Sequence, residues 1–284
     1  MTHQSSSAVR RLAARLAVLA LLACPRAAAA QAPSAPQDDP DLDTNVSQPD
    51  FTLTALPTTL RLARHKSAFR VTHRFARPLG QGDFGDLLDD FFGFDSGALI
   101  GLEYRFGLMR GTQVGLYRTS DKTIQFFGVR SIRTQGDRSP LGIAIQVSVD
   151  GTHNFRDEYR PGVALLVSRE IGTHGALYVE PAFVANTNPL PADAAGDNHT
   201  AVVALGARLR ARPTVYVVLE ATPRVAGYAP GVTQFSVGLE KRLGGHAFQI
   251  SVANGFGSTL AQLARGGVSH DDWFIGFNIT RKFF

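Results

Sequence analysis

The stretch Asp272-Trp-Phe-Ile-Gly-Phe-Asn-Ile-Thr-Arg-Lys-Phe-Phe284 decides how the rest of the chain is read. Its odd positions are Trp273, Ile275, Phe277, Ile279, Arg281 and Phe283. Its even positions are Phe274, Gly276, Asn278, Thr280, Lys282 and Phe284. Apolar bulk falls mostly on the odd set, small or polar groups mostly on the even one. A strand sends successive side chains to opposite faces, so this is a strand with one apolar and one polar face. An edge strand needs its free side covered. Closure into a β-barrel, with the last strand beside the first, covers it.

The same period of two runs through the chain from Ala68 onward. Phe69, Val71, His73 and Phe75 alternate with Arg70, Thr72 and Arg74; Ile100, Leu102, Tyr104 and Phe106 alternate with Gly101, Glu103 and Arg105. Residues 141–150 are the cleanest case, with Leu141, Ile143, Ile145, Val147 and Val149 against Gly142, Ala144, Gln146, Ser148 and Asp150. Residues 112–119, 163–168, 177–184, 203–210, 215–220, 235–240 and 248–253 repeat it, while 124–133 is β-rich with mixed faces. This makes about twelve segments of about nine to eleven residues, the length that crosses a bilayer as a tilted strand.

The connections sharpen the reading. Long ones at 78–98, 151–159, 187–199 and 255–271 and an intermediate one at 225–231 alternate with short ones at 107–111, 134–139, 171–175, 211–213 and 243–245. Only the Ser120–Asp121 turn breaks the alternation. Outer-membrane barrels pair short periplasmic turns with longer outer loops. Almost all Arg and Glu fall opposite the Val/Leu/Ile/Phe set, and an Arg on the lipid face at mid-bilayer costs about 2–4 kcal/mol. The expected fold is therefore all-β: an antiparallel up-and-down transmembrane barrel of about twelve strands, spanning 58–284. Its lipid face at the last strand is Trp273, Ile275, Phe277, Ile279 and Phe283. Arg281 interrupts that row and can snorkel to the headgroups.

Residues 1–30 read as a secretory signal peptide: Arg10, Arg11 and Arg15, an apolar core at 16–23, then Ala28-Ala29-Ala30. Lipidation of Cys24 is the competing reading of that stretch. Residues 31–57, rich in Pro, Asp, Gln and Ser, read as a flexible periplasmic leader. The first 30 residues hold four Arg and no acid, so 25 basic residues face 24 acidic ones in the remainder. That balance gives no ground for nucleic-acid binding. One Cys excludes an internal disulfide framework, and no mature stretch nears eighteen apolar residues, which excludes a spanning helix there.

The pieces Thr72-His-Arg-Phe75, Gly101-Leu-Glu-Tyr104, Tyr117-Arg-Thr-Ser-Asp-Lys122 and Gly276-Phe-Asn-Ile-Thr-Arg-Lys-Phe283 resemble, in order and spacing, a bacterial family of membrane-bound β-barrel domains of unknown function. The resemblance covers about residues 56–284. It implies an outer-membrane barrel, with membrane lipid and the barrel-insertion machinery as partners. It implies no substrate and no catalytic residue.

Candidate lumen-lining residues are Arg70, Arg74, Glu103, Arg105, Asp150, Glu180, Arg208, Arg210, Glu220, Arg224, Glu240 and Arg242, joined by Lys282. They fit a narrow, slightly cation-lined channel for small solutes. They also fit interlocked ion pairs filling the lumen of a non-conducting structural or partner-binding barrel. About twelve strands fall between a filled small barrel and an open porin.

Enzyme chemistry is not expected, although an outer-membrane hydrolase is the third reading. The one mature His-x-Ser is His65-Lys66-Ser67, at a turn; Asp150-Gly-Thr-His-Asn154 lacks a Ser in strand register. His153, His174, His199 and His270 are scattered singly, so no cofactor or metal is expected. In the loop 83–92, Phe84, Leu87, Leu88, Phe91 and Phe92 have helical spacing, with Asp83, Asp86, Asp89 and Asp90 mainly on the other side. This reads as a short helix, either a lid in the barrel mouth or packed on the rim. A second short helical stretch is expected at 258–265.

Overall fold

The computed structural model describes residue 41 and residues 45–91, 97–136, 138–190 and 196–284. The expected signal peptide with Cys24, most of the expected leader before Asn45, and Phe92 lie outside them.

Twelve strands follow one another. They are β1 Ser67–Phe75, β2 Ala98–Met109, β3 Thr112–Thr119, β4 Ile124–Arg133, β5 Gly142–Gly151, β6 Asp157–Glu170, β7 Gly175–Ala185 and β8 His199–Arg212. Then come β9 in two segments, Val215–Thr222 and Arg224–Gly227, β10 Gln234–Leu243, β11 His246–Ala253 and β12 Phe274–Phe283. Pro223 lacks an N–H and interrupts β9. Both segments still pair with β8, Ala221 opposite Leu205 and Arg224 opposite Val202. Every strand runs antiparallel to its sequence neighbour, and β12 returns to β1 with Val71 opposite Ile279 and Ser67 opposite Phe283. The sheet is a closed twelve-strand antiparallel barrel. Closure gives each strand a partner on both sides, as backbone in hydrocarbon requires.

The alternation predicted from sequence is the alternation of burial. On β5, Gly142, Ala144, Gln146, Ser148 and Asp150 point inward and are buried, while Ile145 and Val147 are exposed. Leu102, Tyr104, Val163, Leu165, Val179, Phe183, Leu205, Leu239 and Ile250 continue the exposed band around the wall. An apolar exterior around a polar interior inverts a soluble barrel. The mixed strand β4 resolves with Gln125, Phe127 and Val129 inward and Phe126 outward. Phe127 is tolerated inside because the Arg105 guanidinium lies 4.8 Å over its ring.

Five short connections and six outer ones leave the barrel with a turn end and a loop end. Ser120–Asp121 is a tight turn at the loop end. The helix expected at 83–92 forms as Phe84–Asp89, capped reciprocally by Asp83 and Asp86. It does not enter the barrel mouth: Phe84 is 68 % exposed and Leu88 is exposed as well. Arg77 ties this loop down through Asp86 O at 2.7 Å and Asp90 at 3.0 Å.

The leader expected at 31–57 needs correction where it is described. Residues 45–57 are not a free segment but lie inside the barrel, with Phe51, Leu53, Ala55 and Leu56 all buried. Residues 58–66, where the barrel was expected to start, are the return of the same segment to β1. The closure and register predict that cysteines at Val71 and Ile279 form a disulfide on mild oxidation, since directly opposite Cβ atoms lie within reach. A pair at Val71 and Phe277 stays reduced. Cross-linking of the second pair in preference to the first contradicts the register.

Candidate functional site

The interior of the barrel is the candidate site, and two inserts occupy it. The first comes from the turn end. Residues 51–58 form a hairpin: Thr52 bridges Pro57, Leu53 N–H donates to Leu56 O at 2.8 Å, and Thr58 N–H donates to Phe51 O at 2.8 Å. The wall holds its tip. Ala55 N–H and Leu56 N–H both donate to Glu220 Oε1 at 2.9 Å. Thr54 O accepts from Asn278 Nδ2 at 2.9 Å and from Arg74 at 3.3 Å. Thr52 O accepts from Arg208 at 2.6 Å, and Thr52 Oγ1 from Arg70 at 2.8 Å. Lower down, Lys282 Nζ donates to Pro49 O, Thr280 to Asp50 Oδ2 at 2.8 Å, and Tyr216 OH to Val46 O at 2.9 Å.

Two glycines in the wall make the fit possible. A Cβ at Gly206 would collide with Leu53 Cδ1, and one at Gly276 would meet the Arg74 side chain. A larger residue at either position pushes against the hairpin or its clamp.

The second insert comes from the loop end. The helix Leu260–Arg265, expected at 258–265, lies in the long β11–β12 connection and points into the barrel. Thr259 caps it in a reciprocal box with Gln262 and also donates to Asp150 Oδ2. Asp150 is steadied by Gln125 Nε2 at 2.8 Å. Six residues are too few for a helix to hold alone, so packing stabilises it. Leu260, Ala261 and Ala264 join a buried cluster with Tyr117, Phe127, Ala144, Leu166 and Val184. Leu263 joins Leu53, Ala55, Leu56, Tyr178, Ala204 and Val218 in another. The two inserts thus meet in one apolar cluster across the lumen. Beside it, bounded by Thr52, Arg70, Glu103, Gln146, Leu260 and Leu263, lies a cavity of about 20 Å³. That is room for about one water molecule. A wider cavity of about 580 Å³ opens at the loop end, lined by Leu99, Asp121, Phe256, Gln262, Arg265 and Val268.

The sequence-predicted lumen residues fall into two groups. Arg70, Arg74, Glu103, Arg105, Asp150, Glu180, Arg208, Glu220 and Glu240 are buried inside the barrel. Arg210, Arg224 and Arg242 are only half-buried. Arg210 sits at the turn end against Pro213 O at 3.1 Å, and Arg224 at the loop end against Arg265 O at 2.6 Å. Among the buried set, Glu103 takes Arg70 at 2.7 Å on one oxygen and Arg105 at 2.9 Å on the other. Arg208 pairs with Glu240 at 2.8 Å. The Phe51 ring lies between Arg105 at 5.2 Å and Lys282 Nζ at 4.8 Å.

Between the narrow channel and the filled lumen that the sequence left open, the described residues give an interior occupied by the two inserts. The charged wall grips a peptide rather than facing continuous water. Of the predicted lipid-facing row, Ile275, Phe277, Ile279 and Phe283 point outward on β12, and Trp273 directly precedes it. His65 is an exposed turn residue with φ 60°, bonded by Arg64 at 3.2 Å. Among the described residues no group of three or more His, Cys, Asp or Glu is placed to hold a metal ion.

Sequence reasoning missed the hairpin residues Asp50, Thr52, Leu53 and Leu56 and the helix residue Leu263. The available signal was Phe51-Thr-Leu-Thr-Ala-Leu56, an apolar-rich run inside a polar stretch.

A protein-family profile described as membrane bound beta barrel domain (DUF5777) matches residues 50–283. The match includes the hairpin. Comparison with curated proteins gives no match. Among solved structures, a mutant of the Rhodopseudomonas blastica porin is 13 % identical with TM-score 0.34, over 65 % of this chain and 55 % of the porin. Outer membrane phospholipase A from Escherichia coli is 11 % identical with TM-score 0.42, over 79 % of this chain and 91 % of that one. The outer membrane channel DcaP of Acinetobacter baumannii is 11 % identical with TM-score 0.32, over 78 % and 74 %. Likenesses this distant say nothing of a substrate.

The clamp predicts a stability change. Glu220→Ala leaves two buried N–H groups without an acceptor and lowers unfolding stability by about 2–4 kcal/mol. Arg208→Ala strands Glu240 and costs about 3–5 kcal/mol. Urea unfolding in lipid vesicles measures both; values no larger than for an outward-facing Leu239→Ala control contradict the clamp.

Proposed function

We propose that this chain, which belongs to the family of membrane bound beta barrel domains, works in the outer membrane as a barrel that is closed at rest. Fold and family both point to that membrane. The observation carrying this reading is the contact cluster in which Leu53 and Leu56 of the hairpin meet Leu263 of the outer helix. An ion crossing such a barrel would have to leave water and pass an apolar layer, and hydrophobic constrictions of this kind stop conduction. The working surface is then the loop end, with its cavity and its mixture of Asp and Arg.

A second reading keeps the passage of small solutes, conditional on displacement of the hairpin. What favours it is the chemistry under the hairpin. Arg70, Arg74, Glu103, Arg105, Arg208 and Glu240 would line a polar, slightly cationic path once Thr52 to Leu56 left it. Both readings agree that the resting protein does not conduct.

Planar lipid bilayers test this. The full protein is expected to give no steady conductance steps, and a variant lacking residues 50–57 is expected to give them. Stable open channels from the full protein at rest contradict the proposal.

A further inference from the structure

Exposed acidic side chains are segregated along the barrel axis. Among the described residues, every exposed Asp or Glu side chain lies at the loop end, for example Asp83, Asp121, Asp157 and Asp271. The turn end, which faces the periplasm in barrels of this kind, carries exposed Arg110, Arg130, Arg169 and Arg212. One part of this rim lies on three consecutive strands. Lys241 on β10, His246 on β11 and Arg281 on β12 all point outward: each shares the outward register of apolar neighbours, namely Leu239, Phe248 and Ile279.

The register brings the three together. His246 is opposite Arg281, and Phe248 is opposite both Lys241 and Ile279. Arg281 Nη1 reaches the His246 ring at 2.8 Å, and its guanidinium lies 5.8 Å over Phe283. Lys241 Nζ is held by Thr214 Oγ1 at 2.8 Å. Lys241 and Arg281 flank β11, Lys241 in the row of Phe248 and Arg281 in the row of His246, roughly 12 Å apart counting two strand spacings and the two-residue offset; two extended side chains span that gap once Lys241 leaves Thr214. Neither has an Asp or Glu partner among the described residues. Towards the bilayer centre the same three strands expose Leu239, Phe248 and Ile250, with Ile279 half-buried between them.

We propose that Lys241, His246 and Arg281 form a binding site for the phosphate of an anionic phospholipid in the periplasmic leaflet. Two cations without carboxylate partners at the edge of a hydrocarbon band suit a phosphate that enters at headgroup depth. Charge-assisted bonds from a guanidinium and an ammonium would hold its oxygens. The acyl chains of the same lipid lie along Leu239, Phe248, Ile250 and Ile279. The arrangement selects for net negative charge, because a zwitterionic headgroup brings its own cation to a surface that already has an excess. This site lies on the outer wall and does not depend on whether the lumen conducts.

The test is native mass spectrometry of the full protein released from bicelles of equal phosphatidylglycerol and phosphatidylcholine. The wild type is expected to retain phosphatidylglycerol several-fold over phosphatidylcholine. The double variant Lys241→Gln/Arg281→Gln is expected to lose that preference, while Arg118→Gln at the loop end keeps it. Should the double variant not fold, Lys241→Gln and Arg281→Gln are read singly, each expected to lower the preference. Equal retention of the two lipids by the wild type overturns the proposal, as does an undiminished preference in the folded variants.

Discussion

The buried guanidinium of Arg208 is where the interior of this barrel is decided. It is fully shielded from solvent, and one of its nitrogens donates both to Glu240 at 2.8 Å and to the carbonyl of Thr52 at 2.6 Å. The first partner is part of the wall; the second is part of the hairpin. A guanidinium taken from water must keep charge and hydrogen-bond partners or the burial is prohibitive. A twelve-strand ring is too wide for its own side chains to meet everywhere in the middle. The missing partners are supplied by main-chain carbonyls of residues 50–54, which accept from Arg208, Arg74, Asn278 and Gln249. Glu220 completes the exchange in the opposite sense, accepting two N–H groups from Ala55 and Leu56. Wall and hairpin therefore supply hydrogen-bond partners to one another.

This gives a structural reason for the short pieces Thr72–Phe75, Gly101–Tyr104, Tyr117–Lys122 and Gly276–Phe283. A barrel wall alone asks only for alternation, and many residues would serve. Thr72 bonds Tyr117 at 2.5 Å, Glu103 joins Arg70 to Arg105, Gly276 leaves space for Arg74, and Asn278 and Thr280 bond Thr54 and Asp50. These are the inward positions of those pieces, and together they form much of the receptor for the hairpin. The family match beginning at residue 50 agrees with treating hairpin and wall as one unit.

Strand order, facing and closure were legible because a period of two is a local signal that repeats in every strand. The outward row on β12 follows directly from it. The split in β9 was less visible, since Pro223 removes one ladder bond without ending the pairing to β8. The hairpin was hidden by its company: Pro, Asp and Gln around it dilute Phe51, Leu53 and Leu56 below any periodic pattern. Its stability comes from partners more than 150 residues away, such as Glu220 and Arg208. The choice of which outer helix enters the mouth was equally non-local. The stretch at Phe84–Asp89 has the stronger apolar spacing yet stays outside, tied by Arg77. The helix Leu260–Arg265 enters because Ala261 and Ala264 are small enough to lie against the wall, and Asp150 receives its cap.

Hydrogen–deuterium exchange over residues 50–58, in the folded barrel in lipid, tests the central claim most directly. If the hairpin is an integral part of the interior, the amides of Leu53, Ala55, Leu56 and Thr58 exchange as slowly as those of the neighbouring strands β1, β8 and β12. Exchange of these amides within seconds, while the strand amides stay protected, would mean that the lumen is not held by this segment.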